Sequence, residues 1–365
     1  MREKVKVVHA QIGFTPDDTF DVNITVPIVY RDKYRQRLEQ FKRCGFFNVS
    51  DCTVHLTLIG SVSDWQNREV ITTGWPASFR VSVLAVNEEK ALPKVSAAYL
   101  WQRDSGPRAR WHLRVDDDSM TDLDGLLGYV DRQYDNVAVH LMTSPWFNDG
   151  TNGPFIPYLR SQGLHLPVFV NEHESSMTSD RALQCVFEHP AAMDFLRYTC
   201  QVVDSQSDKG LPLAMLIAKV PVAINPVATK EFALDELSLT GGRFCHIHYV
   251  NWKDPVFAPL AMAFLHGERQ PFAADKLENA MNKPLTFGRC LGKVLAELTL
   301  VSNGLLQGAT NPHETRWMLS EDALQFTNPF GLVTTSFSTV LQHARRTWLI
   351  GPCLYHPFIH FLRLG

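Results

Sequence analysis

The chain has 365 residues, 45% of them hydrophobic and 20% charged, with 35 Lys and Arg against 38 Asp and Glu and a formal net charge of -3. That length supports one large domain with a smaller one, and the charge balance excludes a general nucleic-acid binder. Seven scattered cysteines without a Cys-x-x-Cys pair (Cys44, Cys52, Cys185, Cys200, Cys245, Cys290 and Cys353) argue against a disulfide framework or a zinc knuckle.

Val22 to Tyr30 is β-branched and apolar, and reads as a strand. Arg31 to Arg43 reads as a helix, with Tyr34, Leu38 and Phe41 on one face and Gly45 to end it. His55 to Gly60 and Phe79 to Val86 are further strands, followed by a helix over Leu92 to Trp101. Arg110 to Val115 is a fourth strand, with Trp111, Leu113 and Val115 alternating against His112 and Arg114. This rhythm predicts a mostly parallel sheet with helices on both faces, with ligands bound beyond the carboxyl ends of its strands. Leu123 to Tyr134 then reads as a helix, and Val137 to Met142 and Val168 to Val170 as strands, with Asn148 to Pro154 a polar loop between them. Helices over Asp180 to Thr199 and Leu211 to Lys219 precede strands at Val220 to Ile224 and Phe244 to Val250. Later, Phe287, Leu291, Val294, Leu295 and Leu298 mark an amphipathic helix, and the chain beyond Asn311 is strand-rich. The expected division is a catalytic domain over residues 1–265 and a helix plus β-rich appendage over 266–365.

The strand from Arg110 runs into Asp116, Asp117 and Asp118. On an extended chain Asp116 and Asp118 share a side, and two close carboxylates repel unless a cation lies between them. Hard divalent ions take oxygen ligands of this kind, with phosphate oxygens filling the shell. The rival reading is an acidic turn that caps the following helix. A calcium loop is excluded, because its required Gly and Glu positions hold Thr121 and Leu127.

Two more polar points follow in order. Ser207 and Asp208 precede the apolar helix, and His246-Ile-His248 lies on a strand after a Gly-Gly pair. The ordered set resembles the GT-A glycosyltransferases, over about Val22 to Asn251. The resemblance implies a Rossmann-like nucleotide-binding domain with Asp-x-Asp at a strand end and a metal held by Asp116 and Asp118. His246 or His248 would complete the metal shell, and Asp208 would be the catalytic base of an inverting transfer. Ser207 replaces a Glu of the family's second motif. Asp116 and Asp117, with Arg31 and Asp32 after the first strand, would face the nucleotide, and Asp64 follows the next strand end. The implied cofactor is Mn2+ or Mg2+ and the implied donor a UDP-sugar. The implied acceptor is a glycan or glycolipid of a bacterial surface polysaccharide.

Each residue also has a plainer reading. Asp208 and Ser207 suit a helix cap. The histidines suit a core strand, and a zinc site with Cys245 is disfavoured because neighbours on a strand point to opposite sides. Glu172 and Glu174 are alternative bases or a solvated loop. The basic helix (Arg31, Lys33, Arg35, Arg37, Lys42 and Arg43) suits anionic lipid, an acidic glycan or plain solvent. No P-loop, Gly-x-Ser-x-Gly, His-Glu-x-x-His or dinucleotide motif is present. The competing functions are a sugar-nucleotide nucleotidyltransferase and a non-catalytic carbohydrate-binding protein. The charged amino terminus has no apolar segment of signal length, and no apolar run spans a bilayer. The expected setting is the cytoplasm, with peripheral contact at the inner membrane face, and a homo-oligomer is compatible with it.

Overall fold

The structure is a computed structural model that describes residues 5–50, 52–143, 145–147, 155–163, 170–172, 175–202, 210–230, 245–248, 256–290, 293–356 and 358–364. The chain forms two compact units, residues 1–228 and 229–365.

The first unit is built on an eight-stranded sheet. Its strands are β1 (Val7–Gln11), β2 (Thr19–Pro27), β3 (Val54–Ser61), β4 (Phe79–Val86), β5 (Arg108–Arg114), β6 (His140–Met142), β7 (Ser176–Ser179) and β8 (Val222–Ile224), in the spatial order β1-β4-β3-β2-β5-β7-β6-β8. Strands β4, β3, β2 and β5 form a parallel block. In β2, Val22, Ile24 and Val26 are fully buried, and Asn23 and Thr25 on the other side are buried too. Every residue of β3 is buried. Burial on both faces is the mark of a parallel strand with helices above and below. Helix α1 (Asp32–Cys44) follows β2, and helix α2 (Ala91–Ser105) follows β4, with an unbroken buried run from Leu92 to Tyr99.

The sheet is mixed, not mostly parallel as expected. β7 runs antiparallel to both β5 and β6, and β1 is antiparallel to β4; only β8 resumes parallel pairing, with β6. The inverted strand, Ser-Met-Thr-Ser, has one apolar residue, so hydrophobic periodicity passes over it. It is held by paired polar groups instead, such as Thr178 Oγ1 and His140 Nδ1 at 2.8 Å. Helix α3 covers Leu123–Tyr134 as expected, but the single helix over Asp180 to Thr199 is two, α4 (Asp180–Glu188) and α5 (Pro190–Thr199). Pro190 has no N–H to continue the first helix and starts the second.

In the second unit, the helix Phe257–His266 precedes a seven-stranded and a three-stranded sheet. The expected amphipathic helix through Phe287 and Leu298 is instead an antiparallel hairpin of Pro284–Arg289 and Lys293–Leu300. Phe287, Leu298 and Leu300 are buried in it against Phe326, Phe337 and Leu362. Alternation at Leu298 and Leu300 satisfies a strand as well as spacings of three and four satisfy a helix, and the neighbouring strands decide. The β-rich character expected beyond Asn311 is present in strands from Arg316–Leu319 to Ile359–Arg363. Among the described residues, no helix is long and apolar enough to cross a membrane.

A polar set crosses the parallel block. His55 on β3 is fully buried, with Nδ1 2.8 Å from Asn23 Oδ1 and Nε2 2.8 Å from Ser82 Oγ. Burial pushes its imidazole down to about 3, against a weak opposing pull from Asp18. The unfolded chain therefore takes up a proton near pH 6.5 that the native chain refuses until far lower, so stability is full above pH 6.5 and falls on acidification. From pH 7 to pH 5 this one residue costs the native state about 2 kcal/mol. Urea unfolding as a function of pH should show this loss, and His55→Gln should make the slope between pH 6 and pH 4 shallower by about one proton. An unchanged slope would mean that other groups set the acid sensitivity.

Candidate metal and phosphate site

The chain leaves β2 for β3 and β4 on one side, then returns to place β5 on the other side of β2. The carboxyl ends of β2 and β5 therefore form the point where the strand order reverses, which in open α/β sheets is where ligands bind. Asp116, Asp117 and Asp118 follow β5 at this point. Val115 still pairs with β2, its N–H donating to Thr25 O at 3.1 Å, and Ser119 N–H closes a turn onto Asp116 O at 3.1 Å. The strand Met120–Asp122 follows and pairs with Phe46–Phe47. Asp122 caps α3, accepting from Gly125 N–H at 2.9 Å. The helix cap is thus Asp122, and the triplet before it is left for another role.

Two guanidinium groups meet the triplet. Arg114 Nη2 donates to Asp116 Oδ1 at 2.9 Å, and the Arg114 side chain is only 4% exposed. Arg37 on α1 pairs with Asp117 and, at 3.1 Å, with Asp118 Oδ2. Burial pushes the Asp117 carboxyl up to about 7, and Asp118 and Asp116 add to that push against the pull of Arg37. Asp116 and Asp118 are each partly buried, and His246 and His248 belong to the second unit. His246 and His248 form a short strand and are both buried. Burial holds the His246 imidazole down at about 3, with His248 adding to it.

The other expected residues are distributed differently. Arg31 is the residue before α1, and it makes a 4.0 Å contact with Glu89 between exposed groups, which carries little stability. Asp32 begins α1, and its side chain lies outside the described residues. Asp64 is taken up by the backbone: Oδ1 accepts from Tyr30 N–H and Oδ2 from Ser61 N–H, both at 2.7 Å. Ser207, Asp208 and Glu174 lie outside the described residues, as does the loop Asn148 to Pro154. Glu172 ends a short strand that pairs with Pro145.

Sequence reasoning passed over Arg114, although it sits two residues before Asp116 on a period-two strand. It used Arg37 only as part of a basic helix face. On that face Arg37 is bound to the triplet, and Lys42 is buried, donating to Glu39 at 2.9 Å and to Val70 O at 2.8 Å. Lys94 was unmarked as well; it is 2% exposed and donates to Ile28 O at 3.0 Å near the end of β2. A cavity of about 710 Å³ lies at the opposite ends of β2 and β5, lined by Thr19, Arg108, Trp111 and Asp131 among others. It is remote from the triplet along the strands, and its lining carries both signs of charge.

No family model matches the chain, and no curated protein matches it.

Because Arg114 is almost fully enclosed, its loss removes both a counter-charge and a buried stem. Arg114→Met should lower unfolding stability by roughly 2 kcal/mol, below the full cost of breaking a buried pair because Asp116 reaches water. Denaturant titration of wild type and variant measures it, and a difference under about 0.5 kcal/mol would show that the pair contributes no more than an exposed one.

Proposed function

We propose that the protein is a metal-dependent glycosyltransferase of the GT-A type that transfers a sugar from a nucleotide diphosphate, with UDP as the expected nucleotide. The observation that carries the proposal is the pair of carboxylates Asp116 and Asp118 at the switch point of the sheet, met by Arg114 and Arg37. Its chemistry fits a small divalent ion. Two carboxylates with one imidazole suit Mn2+ or Mg2+ better than a soft metal. His246 or His248 would complete the metal shell.

When bound, the ion would supply Lewis-acid stabilisation of the departing diphosphate. The chain's own residues do the rest. Arg114 holds Asp116, so one ligand arm is fixed before anything binds. The walls of the site bury most of Asp117 and Asp118, which strengthens each charge interaction there. Asp208 would take the proton of the acceptor hydroxyl as it attacks the sugar carbon; this role rests on its place in sequence between the triplet and the histidine strand. Arg31 and Asp32, after β2, remain candidates for nucleotide contact. The acceptor would be a glycan or glycolipid of a bacterial surface polysaccharide, handled at the cytoplasmic face of the inner membrane. For membrane contact, helix α1 offers fewer charges than its sequence suggests, since Arg37 and Lys42 are engaged internally. A nucleotidyltransferase is disfavoured by the absence of a Gly-rich loop, as Val29 to Lys33 has no glycine.

Calorimetry with UDP and Mn2+ separates an enzyme of this kind from an inert scaffold, which would give no metal-dependent heat. Asp118→Asn should abolish Mn2+-dependent UDP binding while the fold persists, and unchanged affinity would remove Asp118 from the metal shell. Asp208→Asn keeps any capping bond but cannot accept a proton, so turnover should fall by about two to four orders of magnitude with donor affinity little changed. Near-normal turnover in that variant would hand the role of base to Glu172 or Glu174.

A further inference from the structure

From Ala323 to Gly365 the sequence contains no Asp or Glu, while it keeps Arg345, Arg346 and Arg363. The same stretch carries Phe330, which is 88% exposed. Phe330 stands on the turn Asn328 to Leu332, which joins the antiparallel strands Leu324–Thr327 and Val333–Phe337. The turn is held by its own hydrogen bonds. Asn328 Oδ1 accepts from the N–H groups of Phe330 and Leu332, both at 3.0 Å, and Gly331 N–H donates to Asn328 O at 3.0 Å. Gly331 has a φ of 82°, a left-handed conformation that glycine adopts without strain. A Cβ at Gly331 would meet nothing within 4 Å, so the turn projects into solvent.

Three more apolar side chains extend this tip. Leu332 is 55% exposed, Leu354 55% and Tyr355 54%. A bridge between Thr335 and Cys353, continued by Leu354 N–H donating to Thr334 O at 2.8 Å, brings the two segments side by side. Cations stand at the same end of the strands. Arg316 is exposed and pairs with Thr327 at the foot of the turn. Arg289 lies over the Phe358 ring, 4.0 Å from its centroid, and exposed Lys293 is its strand partner. Glu314, two residues before Arg316, is buried. Glu321 and Asp322 lie in the turn between Arg316–Leu319 and Leu324–Thr327, at the opposite end of those strands.

An apolar tip that is held out rather than folded back marks a contact surface. A second copy of the chain would have to offer a matching hollow within a self-complementary patch. A bilayer needs no matching shape. Aromatic and aliphatic side chains sink into the boundary between headgroups and acyl chains, and cations beside them meet anionic headgroups. Tyrosine suits that boundary because its ring is apolar and its hydroxyl stays wet. We propose that this tip of the second unit, Phe330 and Leu332 with Leu354 and Tyr355, inserts shallowly into a membrane surface carrying anionic lipid, with Arg289, Lys293 and Arg316 against the headgroups. The inference goes beyond the glycosyl-transfer reading and needs no part of it, since neither nucleotide nor metal takes part.

The test sediments the full chain with vesicles of phosphatidylcholine alone and of phosphatidylcholine mixed with phosphatidylglycerol. Wild type should bind the mixed vesicles at least about tenfold more tightly than the neutral ones, and added salt should weaken that binding. Phe330→Ser should weaken it about tenfold, and Leu354→Ser several-fold, through lost apolar burial. Met318→Ser changes an exposed apolar residue near the acidic turn and should leave binding within about twofold of wild type. Wild type that binds neither vesicle, equal binding to both compositions, or unchanged binding in either Phe330→Ser or Leu354→Ser overturns the proposal. An equal loss in Met318→Ser overturns it as well, by showing general stickiness. A wild-type dimer that Phe330→Ser converts to monomer in the absence of vesicles assigns the tip to a second copy and also overturns it. Vesicle binding without Mn2+-dependent UDP binding would uphold this inference and remove the glycosyl-transfer reading alone.

Discussion

Three consecutive carboxylates at a strand end are the constraint that the first unit is arranged around. Left alone, Asp116, Asp117 and Asp118 would repel one another in a place where the sheet and helix α1 keep most water away. Two guanidiniums resolve this from different directions. Arg114 comes from the same strand, two residues back, and Arg37 comes from the helix after β2. An arrangement with one partner per carboxylate would be a closed ion-pair network. Here Arg37 serves both Asp117 and Asp118.

The parallel block explains why the triplet can be held so firmly. β2 and β3 are buried on both faces, as are the carboxyl-terminal halves of β4 and β5, and the carboxyl ends are fixed by neighbours on both sides. Backbone pairing between β2 and β5 continues past the last strand residue through Val115. The turn after it is short, closed by Ser119, and ends in a helix cap at Asp122. The acidic residues are therefore presented by rigid elements, which hold charged side chains in place. The antiparallel β7 does not disturb this. It pairs with β5 through Ser176 to Ser179, with Ser176 opposite Arg114, the last residue of the strand, so the pairing ends where the triplet begins.

How far the sequence revealed this depended on the kind of signal involved. The strand and helix that carry the triplet were legible because Trp111, Leu113 and Val115 alternate and because Leu123 to Tyr134 keeps helical spacing; the observed helix has the same ends. Periodicity carries no strand direction, so the mixed character of the sheet was not legible, and Ser176 to Ser179 is too polar to register at all. The hairpin at Phe287 to Leu298 shows the opposite failure. Its apolar spacing satisfied two periods at once, and only the antiparallel partners Pro284–Arg289 and Lys293–Leu300 select the strand. At the site, the carboxylates and His248 were visible as residue types in order along the chain. Their counter-charges were not, because Arg37 is far from the triplet in sequence and a helix full of basic residues reads as solvated surface.

The same comparison bears on which histidine to weigh. His246 and His248 are equivalent by sequence, each on the same side of a period-two strand and each buried. Burial alone makes a histidine a poor base and a good neutral donor, and His246, held down at about 3, is neutral at any physiological pH. A neutral imidazole is what a divalent ion needs as a ligand.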